Sequence, residues 1–163
     1  NFNRTYHTPF FKLPSDLISE DLWIIPGTDG RKMSKSYDNF IPIFASEKEL
    51  KKKIMSIVTD DTPLEEPKNP DTCNVFTLIK LFASQQKEQE IRAKYLAGNY
   101  GYGHAKLELL EAVLTYFKAP REKYFAYQKD STLIEKKLLE WNSFAQKIIE
   151  KKYQDIIEFV GSS

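Results

Sequence analysis

Two lysines, Lys32 and Lys35, lie three residues apart in a short stretch that also holds two glycines and two serines, Gly27–Ser36. Lysine places a compact charge on a long flexible stem, which suits it to following phosphate oxygens as they move. Hydroxyl and backbone N–H groups add neutral donors beside that charge. The residue types therefore indicate a phosphate-binding loop, and a solvated basic surface turn is the alternative.

The spacing differs from the Walker A phosphate-binding loop. That motif requires a glycine, four further residues and then Gly-Lys followed by Ser or Thr. Arg31 and Met33 interrupt this pattern. If the stretch binds phosphate, it does so through another type of loop.

The string Lys32-Met33-Ser34-Lys35-Ser36 resembles, at every position, the second signature motif of the class I aminoacyl-tRNA synthetases. The flanking stretches 26–31 and 37–39 resemble the tryptophanyl-tRNA synthetases of bacterial or organellar type. Further similar segments extend the resemblance over essentially the whole chain: Lys52–Asp60, Asn74–Phe76 and Gly101–Lys106. The tyrosyl type shares a similar lysine–serine loop and remains an alternative.

The resemblance implies an enzyme that activates tryptophan with ATP, forming tryptophanyl-adenylate and pyrophosphate, and transfers the tryptophan to tRNA(Trp). Lys32 and Lys35 would be the catalytic residues, binding the charge that develops on pyrophosphate more tightly than ground-state ATP. Loss of Lys35 is expected to be the more damaging. Further ATP contacts are implied for four residues: Met33, Ser34, Ser36 and Trp23.

The resemblance also implies the partners and the missing parts. ATP would bring Mg²⁺, no metal-ligand set is expected in the chain, and the anticodon-reading residues stay unassigned. The only histidines, His7 and His104, are isolated, so the His-x-Gly-His motif is absent from the sequence. In the family that motif and the tryptophan pocket lie upstream. The chain is therefore predicted to be a C-terminal portion that is inactive alone, from a cytoplasmic homodimeric parent. A stand-alone, non-catalytic tRNA-binding module is the alternative.

Composition agrees with a globular domain: 163 residues, 41% hydrophobic and 29% charged. The net charge of +1 gives no global attraction for nucleic acid, so any basic surface must be local. Two lysine clusters are candidates for phosphate attraction or for solvated helix faces: Lys48 with Lys51–Lys53, and Lys147 with Lys151 and Lys152. Cys73 is the only cysteine, which excludes an intramolecular disulfide within these residues.

Hydrophobic periodicity predicts a mostly α-helical bundle over residues 46–163, the anticodon-recognition domain that the resemblance implies. It begins at a capping box formed by Ser46 and Glu49. Residues 1–45 are predicted to be a strand-and-loop section, with a short helix over 15–22 and a strand at 23–25. The resemblance makes this section the tail of a Rossmann-like α/β catalytic domain carrying the lysine loop.

Within the bundle, the pattern predicts several individual positions. The first helix turns Leu50, Ile54, Ile57 and Val58 inward. Asp71 or Thr72 is predicted to cap the next helix, and Gly98 to end the one after it. The predicted inward positions of the following helix are Leu107, Leu110, Val113, Leu114 and Phe117.

Three aromatic residues at the start of that helix have structural predictions. Tyr100 and Tyr102 are predicted to be buried, with stacking on anticodon bases as the alternative. His104 is predicted to be a capping or packed residue. The last segment, Leu133–Val160, shows an apolar helical stripe.

Overall fold

The computed structural model describes residues 1–17 and 24–161. Seven α-helices follow one another in this part of the chain: α1 Phe2–Thr5, α2 Glu47–Met55, α3 Asn74–Phe82, α4 Gln85–Ala97, α5 Tyr102–Tyr116, α6 Lys118–Lys129 and α7 Ser131–Val160. Two 3₁₀ turns, Lys35–Tyr37 and Pro70–Thr72, complete the regular structure. The mostly α-helical structure predicted after residue 45 is confirmed.

The predicted strand at 23–25 is wrong for Ile24 and Ile25, and Trp23 lies outside the described residues. The described section before residue 46 has no strand, and its β-type pairing is an isolated antiparallel bridge between Pro26 and Lys32. Pro26 has no backbone N–H to donate, and the tight turn that follows it leaves too few paired residues for a ladder. The predicted helix over 15–22 falls largely outside the described residues. The single turn α1 was missed.

The hydrophobic core lies between α2, α3, α4 and α5. Apolar residues three and four apart on each helix point inward, as the periodicity predicts. The large fully buried apolar side chains are Leu50, Ile54, Ile57, Val75, Phe76, Leu78, Ile79, Ile91, Tyr95, Leu109 and Val113. Val58, which was predicted to face the core, is 56% exposed, because α2 has already ended at Met55.

Capping residues fix where the helices begin. The predicted capping box at α2 is confirmed, since the Ser46 hydroxyl accepts from the backbone N–H of Glu49 and the Glu49 carboxylate accepts from that of Ser46. The prediction that Asp71 or Thr72 caps α3 is wrong. Both belong to a 3₁₀ turn, and Cys73 takes the capping position without a side-chain bond.

A buried lysine organises the proline-rich loop before α3. Lys68 is 2% exposed, and its ammonium donates to the carbonyl oxygens of Pro63 (2.7 Å), Glu66 (3.2 Å) and Leu64 (3.3 Å). It also lies 5.4 Å from the centroid of the Tyr102 ring. Backbone carbonyls and an aromatic face thus take the place of water around this charge, which a buried cation requires.

Helix α7 has no buried residue along its 30 positions. The apolar stripe that the sequence shows is present, but Leu138, Trp141 and Phe144 are 63–72% exposed. Near the end of the helix, Phe159 contacts the aromatic rings of the N-terminal segment, with Phe2 at 6.0 Å between centroids and Phe10 at 5.3 Å. No helix in the described part of the chain is long and apolar enough to cross a membrane.

Two glycines that flank the α4–α5 turn are expected to respond oppositely to alanine. Gly98 has φ +76°, and a Cβ there would lie 2.5 Å from the carbonyl oxygen of Glu65. Gly98→Ala should therefore destabilise the fold by about 1–3 kcal/mol. Gly103 lies in α5 with no heavy atom within 4 Å of a built Cβ, so Gly103→Ala should stabilise it by up to about 1 kcal/mol. Urea unfolding measures the change in stability for both variants. Equal changes would contradict the different environments of Gly98 and Gly103.

Candidate phosphate-binding loop

The lysine loop is a tight turn closed by backbone hydrogen bonds. The N–H of Gly27 donates to the carbonyl of Arg31 (2.7 Å), and the N–H of Met33 donates to the carbonyl of Ile25 (2.8 Å). The Pro26–Lys32 bridge lies between these two bonds. Residues 27–31 therefore form the tip of the turn, and Lys32 to Ser36 leave it along one edge.

Asn39 fills the interior of this turn and is 2% exposed. Its amide nitrogen donates to Asp29 Oδ1 (2.7 Å) and to the carbonyl of Lys32 (3.1 Å), and its Oδ1 accepts from the N–H of Ser34 (2.7 Å). Its own carbonyl accepts from the N–H of Thr28 (2.8 Å). One buried side chain therefore joins the two sides of the loop.

Asp29 and Arg31 form a second group at the tip. Arg31 donates through its backbone N–H (3.0 Å) and its Nε (2.7 Å) to the Asp29 carboxylate, and its guanidinium lies 4.8 Å from the Tyr37 ring centroid. The hydrogen bond from Asn39 is the main cause that holds the pKa of Asp29 below its ordinary value, and the Arg31 bonds act in the same direction. Asp29 therefore stays ionised at neutral pH.

Lys32 and Lys35 are exposed and, within residues 1–17 and 24–161, form no ion pair. Arg31, in contrast, is neutralised by Asp29. Ser34 begins the 3₁₀ turn that carries Lys35, and its hydroxyl accepts from the N–H of Ser36 (3.2 Å). Among the described residues, the loop thus presents two ammonium groups without a carboxylate partner on a hydrogen-bonded backbone, an arrangement that can bind an anion.

The other two predicted ATP contacts have different outcomes. Met33 is half-buried and packs against the hydrophobic core, so part of its side chain is already occupied by the protein. Its predicted contact with adenine stays a prediction. Trp23 lies outside the described residues.

Two contacts attach the loop to the helical bundle. The ammonium of Lys53, on α2, contacts the carbonyl and the carboxylate of Asp38, with 3.2 Å to Oδ1. The N–H of Val58 donates to the carbonyl of Thr28 (2.8 Å). Sequence reasoning missed Lys53 as a loop contact, and its partly buried position, which separates it from the exposed Lys51 and Lys52, is visible only in the structure.

The remaining lysine candidates for phosphate attraction lie on exposed surfaces. Lys48, Lys51 and Lys52 are solvated on α2. In the second cluster Lys147 and Lys151 are exposed, while Lys152 lies 4.0 Å from the centroid of the Phe10 ring. Lys53 and Lys152 are therefore partly engaged within the protein, and the other five remain accessible to a polyanion.

The tyrosines at the start of α5 were predicted to be buried, and both are half-buried. The Tyr102 hydroxyl donates to Asp60 (2.7 Å). The Tyr100 hydroxyl is buried without a partner among the described residues, and burial raises its pKa to about 12. His104 was predicted to be a capping or packed residue, but it is exposed and stacks on Tyr100, with 6.1 Å between ring centroids.

Residues 1–118 match the profile of the tRNA synthetases class I (W and Y). The chain belongs to this family. A tryptophan–tRNA ligase of Fusobacterium nucleatum subsp. nucleatum is 50% identical over 160 residues, which are 98% of this chain and 49% of that protein. A tryptophan–tRNA ligase of Campylobacter jejuni is 47% identical over 153 residues, 93% of this chain and 47% of the relative.

The fold agrees with this family. The crystal structure of tryptophanyl-tRNA synthetase from Campylobacter jejuni complexed with ADP and tryptophan superimposes with a TM-score of 0.83 at 43% identity. The match covers 98% of this chain and 50% of that one. The chain thus spans about half the length of the relatives it matches and corresponds to their C-terminal portion.

Proposed function

We propose that this chain is the C-terminal part of a tryptophan–tRNA ligase. Residues 1–45 would end a Rossmann-like nucleotide-binding domain, and residues 46–163 would form the helical anticodon-recognition domain. The relatives at 50% and 47% identity are tryptophan–tRNA ligases, which favours tryptophan over tyrosine as the amino acid. Their length, about twice that of the matched part, supports a further half that carries the tryptophan pocket and the His-x-Gly-His motif.

The observation that carries the proposal is the pair of exposed ammonium groups on Lys32 and Lys35, which have no ion-pair partner within residues 1–17 and 24–161. During adenylate formation the bond between the α- and β-phosphates of ATP breaks, and negative charge accumulates on the departing pyrophosphate. Two flexible cations that contact this charge stabilise the transition state more than ground-state ATP. The Ser34 and Ser36 backbone and hydroxyl groups would hold the loop or donate to phosphate, and Met33 would flank the adenine.

The other participants follow from the same proposal. Mg²⁺ would arrive bound to ATP and share the neutralisation of its phosphates. The tRNA(Trp) would contact the helical part, where exposed lysines such as Lys48, Lys51 and Lys52 can attract its backbone. The ligase would act as a homodimer, with its dimer surface mainly in the other half.

The test is tryptophan-dependent exchange of pyrophosphate into ATP, measured for the full-length protein and for the 163-residue chain. We expect exchange by the full-length protein only, because this chain holds one part of the ATP site. Normal turnover by the 163-residue chain would contradict the division of the site between two halves. The full-length protein serves as the control for assay conditions.

Two further readings of the same assay separate the alternatives. Exchange that depends on tyrosine instead of tryptophan would identify a tyrosyl-type enzyme. A full-length protein that binds tRNA but performs no exchange with either amino acid would identify a non-catalytic binding module. Either outcome would overturn the proposed function.

A further inference from the structure

The side chain of Asn39 connects the scaffold of the loop to the backbone of its lysines. It is buried, and a buried amide requires partners for its polar atoms. Both amide hydrogens and the carbonyl oxygen have them, at 2.7–3.1 Å. A flipped amide would place its NH₂ against the N–H of Ser34 and its oxygen against the Asp29 carboxylate, so the hydrogen bonds fix its orientation.

The two backbone groups that Asn39 binds flank Met33. They are the carbonyl of Lys32 and the N–H of Ser34. Because Ser34 also caps the turn carrying Lys35, the backbone direction at both lysines depends on this one side chain. Neither lysine ammonium is hydrogen-bonded to the Asn39 side chain, so Asn39 would act on phosphate through the backbone.

We propose that Asn39 is a positioning residue for the phosphate-binding lysines: it holds the loop backbone so that the ammonium groups of Lys32 and Lys35 converge on the departing pyrophosphate. The inference rests on the proposed function of the loop. Misplacement of a contacting group by about 1 Å can lower a rate by roughly a hundredfold, which sets the scale of the expected effect.

Gly27 supplies an independent way to disturb Asn39. A Cβ built at Gly27 overlaps Cγ and Nδ2 of Asn39 and lies 2.7 Å from its carbonyl oxygen. Its φ is not positive, so alanine is conformationally acceptable there and the collision with Asn39 is the main consequence. Gly27→Ala should displace the amide without altering either lysine or Asn39 itself.

The first arm of the test uses the full-length protein and pyrophosphate exchange. We expect Asn39→Ala and Gly27→Ala each to lower kcat by roughly 10- to 100-fold, while the KM for tryptophan changes by less than about threefold. The double variant should be close to the single variants rather than to their product, because both act on one group. An unchanged kcat for Asn39→Ala, or multiplicative effects in the double variant, would overturn the proposal.

Two control variants separate positioning from general destabilisation. Gly103→Ala adds a methyl group away from the loop and should leave kcat unchanged. Leu109→Ala weakens the core and should keep a wild-type kcat at a temperature where it remains folded. If Leu109→Ala lowers kcat as much as Asn39→Ala does, Asn39 is structural only and the proposal fails.

Charge rearrangement gives a rescue experiment. Asn39→Asp keeps the acceptor for Ser34 but sets a second carboxylate against Asp29, so it should be at least as damaging as alanine. Asp29→Asn in that background returns a donor opposite the new carboxylate and should recover part of the lost kcat. If kcat does not recover, the hydrogen bond between Asn39 and Asp29 is not the contact through which Asn39 affects catalysis.

The second arm measures hydrogen exchange of the Ser34 amide in the 163-residue chain and does not depend on catalysis. Asn39→Ala should speed this exchange by at least about tenfold, while Gly103→Ala leaves it unchanged. Faster hydrogen exchange at Ser34, together with no pyrophosphate exchange by the full-length protein, would contradict the proposed function. It would still support Asn39 as the residue that holds the loop backbone. An unchanged rate of hydrogen exchange at Ser34 would contradict the claim that Asn39 holds the loop backbone.

Discussion

Lys35→Ala is expected to lower kcat for pyrophosphate exchange by the full-length protein on the order of 10²–10³-fold, with a smaller loss for Lys32→Ala. The physical reason is that an exposed ammonium with no carboxylate partner among the described residues has its charge available for the departing pyrophosphate. Because the contact strengthens as charge develops, the loss should appear mainly in kcat and less in the KM for ATP. Steady-state and single-turnover kinetics separate the effect on kcat from the effect on the KM for ATP.

Two variants sharpen this experiment. Lys35→Arg keeps the positive charge but replaces a compact ammonium with a planar group, and it should retain an intermediate rate. Lys123→Ala removes an exposed lysine on α6 and should leave exchange unchanged. A Lys35→Ala rate within about threefold of wild type would refute a phosphate role for this residue.

Leu109→Ala is expected to destabilise the fold by about 2–5 kcal/mol, because it removes a fully buried side chain of the hydrophobic core and leaves a cavity. Leu107→Ala is the matched control. It lies two residues earlier on the same helix, has the same helix propensity change, and is 43% exposed. Its cost should stay below about 1 kcal/mol.

Urea unfolding followed by circular dichroism measures both leucine variants. Similar slopes with different midpoints would show that the difference lies in native stability. Equal midpoints for the two variants would contradict the burial of Leu109 in the core. Hydrophobic periodicity predicted Leu107 and not Leu109 as an inward position, so the pair also tests which of the two leucines is buried.

Local signals in the sequence predicted much of the helical bundle. The Ser46–Glu49 capping box and the stop at Gly98 each depend on residues close in sequence, and both are present in the structure. The face that α5 turns toward the core was less well predicted. Leucines at 107, 109 and 110 allow two inward faces, and packing of α5 against α2 and α3 selects the one that contains Leu109.

The lysine loop shows a similar division. Its motif was readable from the string Lys32–Ser36, because the chemistry lies in adjacent residues. The contacts that hold it come from Asn39, from Lys53 on α2 and from the N–H of Val58. Hydrogen bonds between separated segments leave no periodic pattern, and no single-sequence rule could have assigned them.

The apolar stripe of α7 was read correctly as a pattern, yet periodicity does not identify what the stripe contacts. Trp141 is 72% exposed, and no described residue covers that face. A hydrophobic face shows only that burial against some partner is favourable.

The aromatic contact between Phe2 and Phe159 has a consequence for the order in which the chain assembles. These residues stand at opposite extremes of the sequence, so bringing them together costs more loop-closure entropy than pairing α3, α4 and α5, which are joined by short connections. We therefore expect the central helices to form first and the N-terminal rings to join Phe159 last. We also expect the same contact to be the first to open when the protein fluctuates.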